Sequence, residues 1–216
     1  MPLIGNPSKL AFDLIPVFPS WERRYAPERA AWAGTAIWVG GQNLCRHEVA
    51  GSDEIGEHFF IPLAPIAEWL MNALAALEFD ECPAPFSDSS NLHEIARLWG
   101  DSPPPSGLDE DEWLEARQEW WRRHFLHAGA DGARVPNLAF SRADKQLALS
   151  WAPPHFFSED APRSLAPAGE FSLPWSEGLR VLDEFVTQVA VWLWEADAED
   201  APKTIPHHAS SGLDAL

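Results

Sequence analysis

The sequence FFIPLAPIAEWLMNALAALEF, residues 59–79, predicts a long helix that the rest of the chain packs around. Its apolar residues recur at steps of three and four, which is the spacing of one helix face. These residues are Leu63, Ile66, Ala67, Leu70, Met71, Leu74 and Leu77. Pro62 and Pro65 fit the first turn, where a missing N–H costs no hydrogen bond. Trp69 widens the apolar stripe, so we expect neighbouring elements to cover this helix on more than one side.

Length and composition predict one large domain followed by a tail. The chain has 216 residues, of which 46% are hydrophobic, enough for a substantial core. We expect residues 1–195 to form this domain, with residues 1–9 loose. Residues 196–216 are acidic and mostly small, which predicts a disordered tail.

The charge and the tryptophan content bear on the class of partner. The net charge is −18, from 33 acidic and 15 basic residues. This argues against binding to a nucleic-acid backbone, which requires clustered Lys and Arg, and against binding to an anionic membrane surface. No apolar run is long enough to span a membrane. The acidity serves either solubility or docking on a basic protein, and the 12 Trp residues serve either the core or a partner-binding surface.

Strand and helix patterns do not alternate regularly, so the predicted fold is α+β. We expect a mainly antiparallel sheet of hairpins packed against three to four helices. Gly40-Gly41 is the predicted turn of one hairpin. The predicted strands are residues 10–16, 33–39, 42–49, 57–61, 137–140, 146–151 and 170–173. Besides residues 59–79, helices are predicted at 91–99, at 109–128 and from 176 onward.

The pair His93-Glu94 is the part of the sequence most similar to a catalytic motif. A zinc-peptidase helix requires a second His four residues after the first, so that both rings reach one metal. Arg97 occupies that place here and would repel a metal ion. Glu94 instead completes a capping box with Asn91. We therefore predict no peptidase activity.

Cys45, His47 and His58 form the other candidate chemical site. Cys45 and His47 share one face of a predicted strand, but a Cys-x-His spacing is not the paired Cys motif of zinc sites. We predict no metal and no cofactor. A small enzyme whose site is assembled from these three residues, metal-dependent or not, is the alternative hypothesis. Cys45 and Cys82 are the only cysteines and no signal peptide is evident, which predicts reduced thiols and a cytoplasmic location.

The predicted helix at 109–128 carries the candidate partner-binding surface. Its acidic first turn suits the positive end of the helix dipole. We expect the helix to pack through Leu114, Trp121 and Phe125, which leaves at least one of Trp113 and Trp120 uncovered. Replacing Trp120 is then expected to weaken binding, and replacing Trp121 to weaken stability. The predicted partner-binding residues are Asp109, Glu110, Asp111, Glu112, Trp113 and Trp120, and the predicted partner is a protein with a basic surface.

Three segments resemble an uncharacterised bacterial domain that is associated with phage-defence and mobile-element loci. They are IWVGGQNLCRH (37–47), IPLAPIAEWL (61–70) and the helix that contains Trp120, Trp121 and His124. The resemblance spans residues 10–194, and its motifs are a Gly-Gly turn, a helix that starts with Pro and a Trp-Trp pair. It implies an accessory or recognition role and supplies no catalytic residue. The favoured hypothesis is a non-enzymatic accessory or adaptor protein in a bacterial antiviral system.

Overall fold

The computed structural model describes residues 3–16, 32–49, 51–80, 92–104, 106–107, 109–126, 135–153 and 163–200, without the side chains of 97, 99–101 and 196–200. These ranges contain ten strands and four helices, and the predicted α+β class is confirmed. In chain order the elements are β1 (Leu3–Asn6), β2 (Leu10–Pro16), β3 (Trp32–Val39), β4 (Gln42–Asn43), β5 (His47–Glu48), β6 (Ile55–Gly56), β7 (Phe59–Pro62), α1 (Leu63–Phe79), α2 (Leu92–Asp101), α3 (Glu110–His124), β8 (Asn137–Ala143), β9 (Gln146–Ala152), β10 (Gly169–Pro174) and α4 (Trp175–Asp200).

The larger sheet has five antiparallel strands arranged around β3. β2 pairs with one edge of β3, and β1 pairs with β2. The other edge of β3 pairs with β7 near its start and with β4 at its end. Gly40 and Gly41 form the turn from β3 to β4 with φ of 58° and 86°, left-handed values that favour glycine. The predicted Gly-Gly hairpin is confirmed, although β4 is only two residues long.

Strand β1 corrects the expectation that residues 1–9 are loose. Leu3–Asn6 pair with β2, and Ile4 is buried in the main core. Lys9, in the turn that follows, extends its Nζ to within 2.9 Å of the Glu177 carboxylate at the start of α4. A four-residue strand with one buried side chain has too short a pattern to be recognised from sequence.

The smaller sheet has three antiparallel strands in the order β10-β9-β8. The β8–β9 hairpin turns at Asp144-Lys145, with Ala143 opposite Gln146. Asp144 has a φ of 55°, which Asp tolerates better than most residues. This hairpin and the strand after it were predicted, with β8 reaching three residues further than expected.

Helix α1 is in contact with α3, α4 and β8, as expected for a helix covered on more than one side. Its buried residues are Leu63, Ile66, Ala67, Leu70, Ala73 and Leu77. Met71 was predicted to join them but is 56% exposed. It lies about 100° around the helix from Leu70, outside the arc that the buried residues define.

Helix α4 contacts strands of both sheets, namely β1 and β2 of the larger and β9 and β10 of the smaller. The rings of Phe12 on β2 and Phe185 on α4 lie 4.4 Å apart. One cluster of buried side chains therefore includes both sheets, α1 and α4. The helix continues to Asp200, past the predicted start of the tail at 196. Residues 201–216 lie outside the described residues, so their disorder and the domain boundary stay predictions.

Candidate partner-binding surface

Helix α3 begins with an exposed acidic turn. The carboxylate of Asp109 caps the helix by accepting the N–H of Asp111 at 2.7 Å. Glu110, Asp111 and Glu112 follow, and their side chains are exposed. The helix dipole stabilises negative charge at this end. The four acidic residues predicted to bind a partner are thus accessible. The helix dipole alone accounts for their position, so a role in binding needs support from another feature of the same surface.

Trp113 and Trp120, the other two predicted partner-binding residues, are buried. Only 8% of Trp113 and 6% of Trp120 is exposed, so neither indole presents a surface to a partner. Leu114 and Trp121, predicted to face the core, are 43% and 45% exposed. The predicted packing face of α3 is therefore wrong by about 100°, the rotation between successive helical residues.

The position of the last helical residue explains this rotation. Extending the helix beyond His124 places Phe125 on the same side as Leu114 and makes that side appear to be the core face. The helix ends at His124 instead, and Phe125 is extended, with φ −104° and ψ 131°. Phe125 forms a β-bridge with Ala139 of β8. The buried face consequently passes through Trp120 and His124.

The buried indoles belong to a second apolar cluster that joins α2, α3 and β8. Its buried members are Leu92, Ile95, Trp113, Trp120, Phe125 and Ala139. The ring of Trp120 lies 4.7 Å from that of His124 and 6.2 Å from that of Phe125. This cluster fixes which side of α3 faces inward, and Leu114 and Trp121 consequently face outward.

His124 attaches the end of α3 to its neighbours. Its Nδ1 donates a hydrogen bond to the Phe140 carbonyl oxygen at 2.7 Å, and its Nε2 lies 3.7 Å from the Asp80 carboxylate. Burial lowers the pKa of His124, and the Phe140 carbonyl and the charge of Asp80 oppose this effect. Arg123 forms an ion pair with Asp80 at 2.8 Å. The C-terminal end of α3 is thereby connected to both α1 and β8.

A cleft of about 340 Å³ opens beside the exposed face of α3. The described residues that line it are Ala96, Arg117, Gln118, Trp120, Trp121 and Arg122. The ring of Trp121 stacks on that of Phe125, with centroids 5.6 Å apart and planes 16° from parallel. The cleft was not predicted, because it depends on how α2 lies beside α3. The adjacent pair Trp120-Trp121 was the available signal, since one packing face does not bury two successive bulky residues equally.

Cys45, one of the three residues of the alternative hypothesis, is fully buried. Burial raises the pKa of its thiol to about 12, with backbone hydrogen bonds opposing this effect. The thiol is therefore protonated at neutral pH, whereas the thiolate is the reactive and metal-binding form. Cys82, the other cysteine, lies outside the described residues.

His47 and His58 each have a partner of their own. His47 Nδ1 donates to the Cys45 carbonyl oxygen at 2.8 Å, and its ring stacks on Phe59 with centroids 4.9 Å apart. His58 Nε2 lies 3.5 Å from the Asp13 carboxylate. Among the residues that the structure describes, no group of three or more His, Cys, Asp or Glu is arranged to hold a metal ion. The geometry gives the dispersed His/Cys site no shared centre.

A Ser–His pair that the sequence did not indicate joins α2 to β9. His93 Nδ1 lies 3.1 Å from the Ser150 hydroxyl. Burial lowers the pKa of His93, and hydrogen bonds to Asn137 oppose this effect. Ser150 is only 2% exposed, which keeps a substrate from its hydroxyl, so the pair connects elements of the fold. The two residues are 57 positions apart and share no motif, so the sequence offers no signal for the pair. The predicted cap Asn91 lies outside the described residues.

Comparisons with known proteins leave the family open. No protein-family model matches the chain, and no curated protein matches it. Among solved structures it is similar to the crystal structure of CdiI from Burkholderia dolosa AUO158, with 16% identity and a TM-score of 0.48. That alignment covers 87% of this chain and 99% of the other. A TM-score of this size does not establish a common fold.

No helix in the described ranges combines the length and the apolar character that crossing a membrane requires.

Proposed function

We propose that the protein is a non-enzymatic accessory or adaptor protein that binds a protein partner through the outer face of α3. The observation that carries this proposal is a continuous exposed stripe on that helix, which we call the α3 stripe. It consists of the acidic first turn (Asp109–Glu112), Leu114 and Trp121. Glu110 and Leu114 are one turn apart and Leu114 and Trp121 are two turns apart, so all three lie on one side of the helix.

The apolar part of the α3 stripe supplies the binding energy in this proposal. Leu114 and Trp121 leave 43% and 45% of their surface in water, and covering that surface is favourable. Trp is enriched among the few residues that dominate the energy of an interface. The stack on Phe125 already restrains Trp121, so little side-chain freedom is lost on binding.

The acidic part of the α3 stripe defines the chemistry of the partner. Glu110, Asp111 and Glu112 complement a basic patch that flanks an apolar pocket. The net charge of −18 adds a long-range attraction for the same partner. Because salt screens such attraction beyond about 8 Å at physiological ionic strength, association is expected to be faster at low salt. An acidity that serves solubility alone would leave the association rate insensitive to salt.

The resemblance to a domain of phage-defence and mobile-element loci provides the cellular setting of the proposal. On that resemblance we place the accessory role in a bacterial antiviral system. We place the complex in the cytoplasm, where Cys45 would persist as the free thiol that the structure contains.

The test of the apolar part compares two exposed tryptophans. Tagged protein is used to capture partners from the native host, which are identified by mass spectrometry, with Trp121→Ser and Trp194→Ser beside the wild type. Trp194 lies on α4 and is 72% exposed, so it matches the change in chemistry at a different surface. We expect Trp121→Ser to lose the partner and Trp194→Ser to retain it, with all three proteins folded by circular dichroism. Retention of the same partner by both variants would overturn the proposal.

The test of the acidic part uses matched charge reversals. Glu110→Lys with Asp111→Lys changes the charge of the stripe, and Asp53→Lys with Glu54→Lys makes the same change in an exposed loop. We expect the first pair to slow association with the captured partner and to flatten its salt dependence. The second pair should change both quantities much less. Equal effects from the two pairs would show that only the net charge matters.

A further inference from the structure

We infer that the cleft beside Trp121 receives an acidic side chain of the same protein partner. This inference rests on the proposed function and adds the orientation of the partner. The α3 stripe presents negative charge at the start of the helix, whereas the cleft presents positive charge nearer its end, from Arg117 and Arg122. A partner that satisfies both must carry a basic patch and a carboxylate in a fixed order.

Arg117 is the cation of the cleft that has no acidic neighbour one turn away on α3. Residues three and four positions away are its neighbours on the helix, and none of them is acidic. They are Trp113, Leu114, Trp120 and Trp121. Arg117 is half-buried and forms no ion pair with the residues that the structure describes. Arg122, by contrast, already bonds Glu119 at 2.6 Å.

The walls of the cleft suit a carboxylate that has an apolar group next to it. A guanidinium binds a carboxylate through two parallel hydrogen bonds, which are stronger than those between neutral groups. Trp121, which is exposed, adds indole surface that an aliphatic or aromatic group can contact. The volume of about 340 Å³ lies at the lower end of the range for ligand pockets. It therefore suits one or two side chains of a protein.

The charge around the cleft favours a single carboxylate over a polyanion. The exposed acidic turn lies roughly 10 Å from Arg117 along the axis of α3, at 1.5 Å per residue. A nucleic-acid strand running along the helix from Arg117 would bring its phosphates against Glu110 and Asp111. A protein segment can place a carboxylate at Arg117 and Lys or Arg at the acidic turn. We therefore expect the acidic residue of the partner roughly 10 Å from its basic patch.

The experiment uses two blocked dipeptides, N-acetyl-Glu-Phe-amide and N-acetyl-Gln-Phe-amide, as probes. Binding is followed by NMR through the indole N–H resonances, which are assigned to Trp120 and Trp121 by substitution. We expect the Glu dipeptide to bind about fivefold or more tightly than the Gln dipeptide, because only the carboxylate forms charge-assisted hydrogen bonds. Arg117→Gln should remove this preference. Arg180→Gln, which removes a cation from α4, should leave it unchanged.

The inference would be overturned if the two dipeptides bound equally well or if neither bound. It would also be overturned if the Arg117→Gln variant still preferred the Glu dipeptide. These outcomes do not involve the captured partner, so they are separate from failure of the proposed function. If Trp121→Ser abolishes capture but the dipeptides show no charge preference, docking through α3 stands and the carboxylate site fails. With the partner in hand, Arg117→Gln should weaken its affinity about tenfold, the size of one hydrogen bond to a charged group.

Discussion

Helices α1 and α3 both carry more apolar surface than one neighbouring element can cover. The fold buries this surface on α1 but leaves part of it exposed on α3. Around α1, contacts with α3, α4 and β8 cover a broad arc that contains Leu70 and Leu77. Around α3, one cluster covers Trp113 and Trp120, and Leu114 and Trp121 remain at the surface. An apolar arc that the fold covers contributes to stability. One that it leaves exposed on a helix is available to another molecule.

The difference between the two helices also shows in their polar residues. The polar residues of α1 that the fold leaves exposed, such as Glu68 and Asn72, lie on the side away from its buried arc. The exposed indole and leucine of α3 are instead continuous with an acidic turn and with the cleft that contains Arg117. Charge of both signs beside exposed apolar side chains is the arrangement of an interface rim. This contrast favours α3 over α1 as the recognition helix.

Leu70→Asp should produce the largest effect and test the role assigned to α1. Leu70 is 0% exposed, and an unpaired carboxylate there should cost at least about 4 kcal/mol, enough to prevent folding. Met71→Asp, on the exposed side of the same helix, is the control and should remain folded. Urea unfolding of both purified variants shows whether each one folds cooperatively and gives its free energy of unfolding. A soluble, cooperatively unfolding Leu70→Asp protein would show that the core is misplaced.

Replacing each of the two adjacent tryptophans of α3 by alanine tests which side of the helix faces the core. Trp120→Ala should lower the free energy of unfolding by about 3–5 kcal/mol, and Trp121→Ala by about 1 kcal/mol or less. Partner binding should show the reverse order among the variants that fold. This is the opposite of the sequence-based expectation, in which Trp121 was the core residue. If Trp121→Ala proved the more destabilising, the packing face predicted from the sequence would be restored.

Acidification should destabilise the second cluster, through His124 and His93. Burial lowers the pKa of both, so the folded protein keeps them neutral. Above the ordinary value of 6.5 both the folded and the unfolded states are neutral, and stability is complete. As the pH falls below 6.5, the unfolded state takes up protons that the folded state does not, and the free energy of unfolding declines until the folded pKa is reached.

The measurement is the urea midpoint over a range from about pH 7.5 to about pH 5.5, where His titrates. His124→Asn should be less stable than the wild type at neutral pH but should lose less on acidification. His58→Asn serves as the control, because His58 lies just before β7, beside Asp13 of the larger sheet, and belongs to neither the second cluster nor its neighbours. Identical slopes for the wild type and His124→Asn would contradict the assigned role of His124.

The fold was largely readable from the sequence, because its main elements have long patterns or distinctive turns. The stripe of α1 and the Gly40-Gly41 turn each predict one structure. Strand β1 was missed because four residues with one buried side chain carry too little pattern. The end of α3 was missed because Phe125 continues an apolar spacing although its backbone is extended.

Only part of the candidate site could be predicted from the sequence. Its acidic turn follows from the helix dipole, which acts on local sequence. The identity of the exposed tryptophan depends on which stripe α2 and β8 cover, and this is a long-range property. Trp113 and Trp120 are seven residues apart and lie on the same side of the helix, so both can be buried together. Leu114 and Trp121 have the same spacing, so the sequence alone does not decide which of the two pairs is buried.

The contact of α4 with both sheets has a consequence for how the chain folds during synthesis. Lys9 and Glu177 are 168 residues apart, and Phe12 meets Phe185 across a similar separation. Until α4 leaves the ribosome, the faces of β2 and β9 that it covers stay open to water and to other chains. Proteins dominated by such distant contacts fold in roughly milliseconds to seconds, slowly compared with helical bundles. We therefore expect the nascent chain to depend on chaperones until α4 is made, and refolding of a chain truncated before Trp175 to end in aggregation.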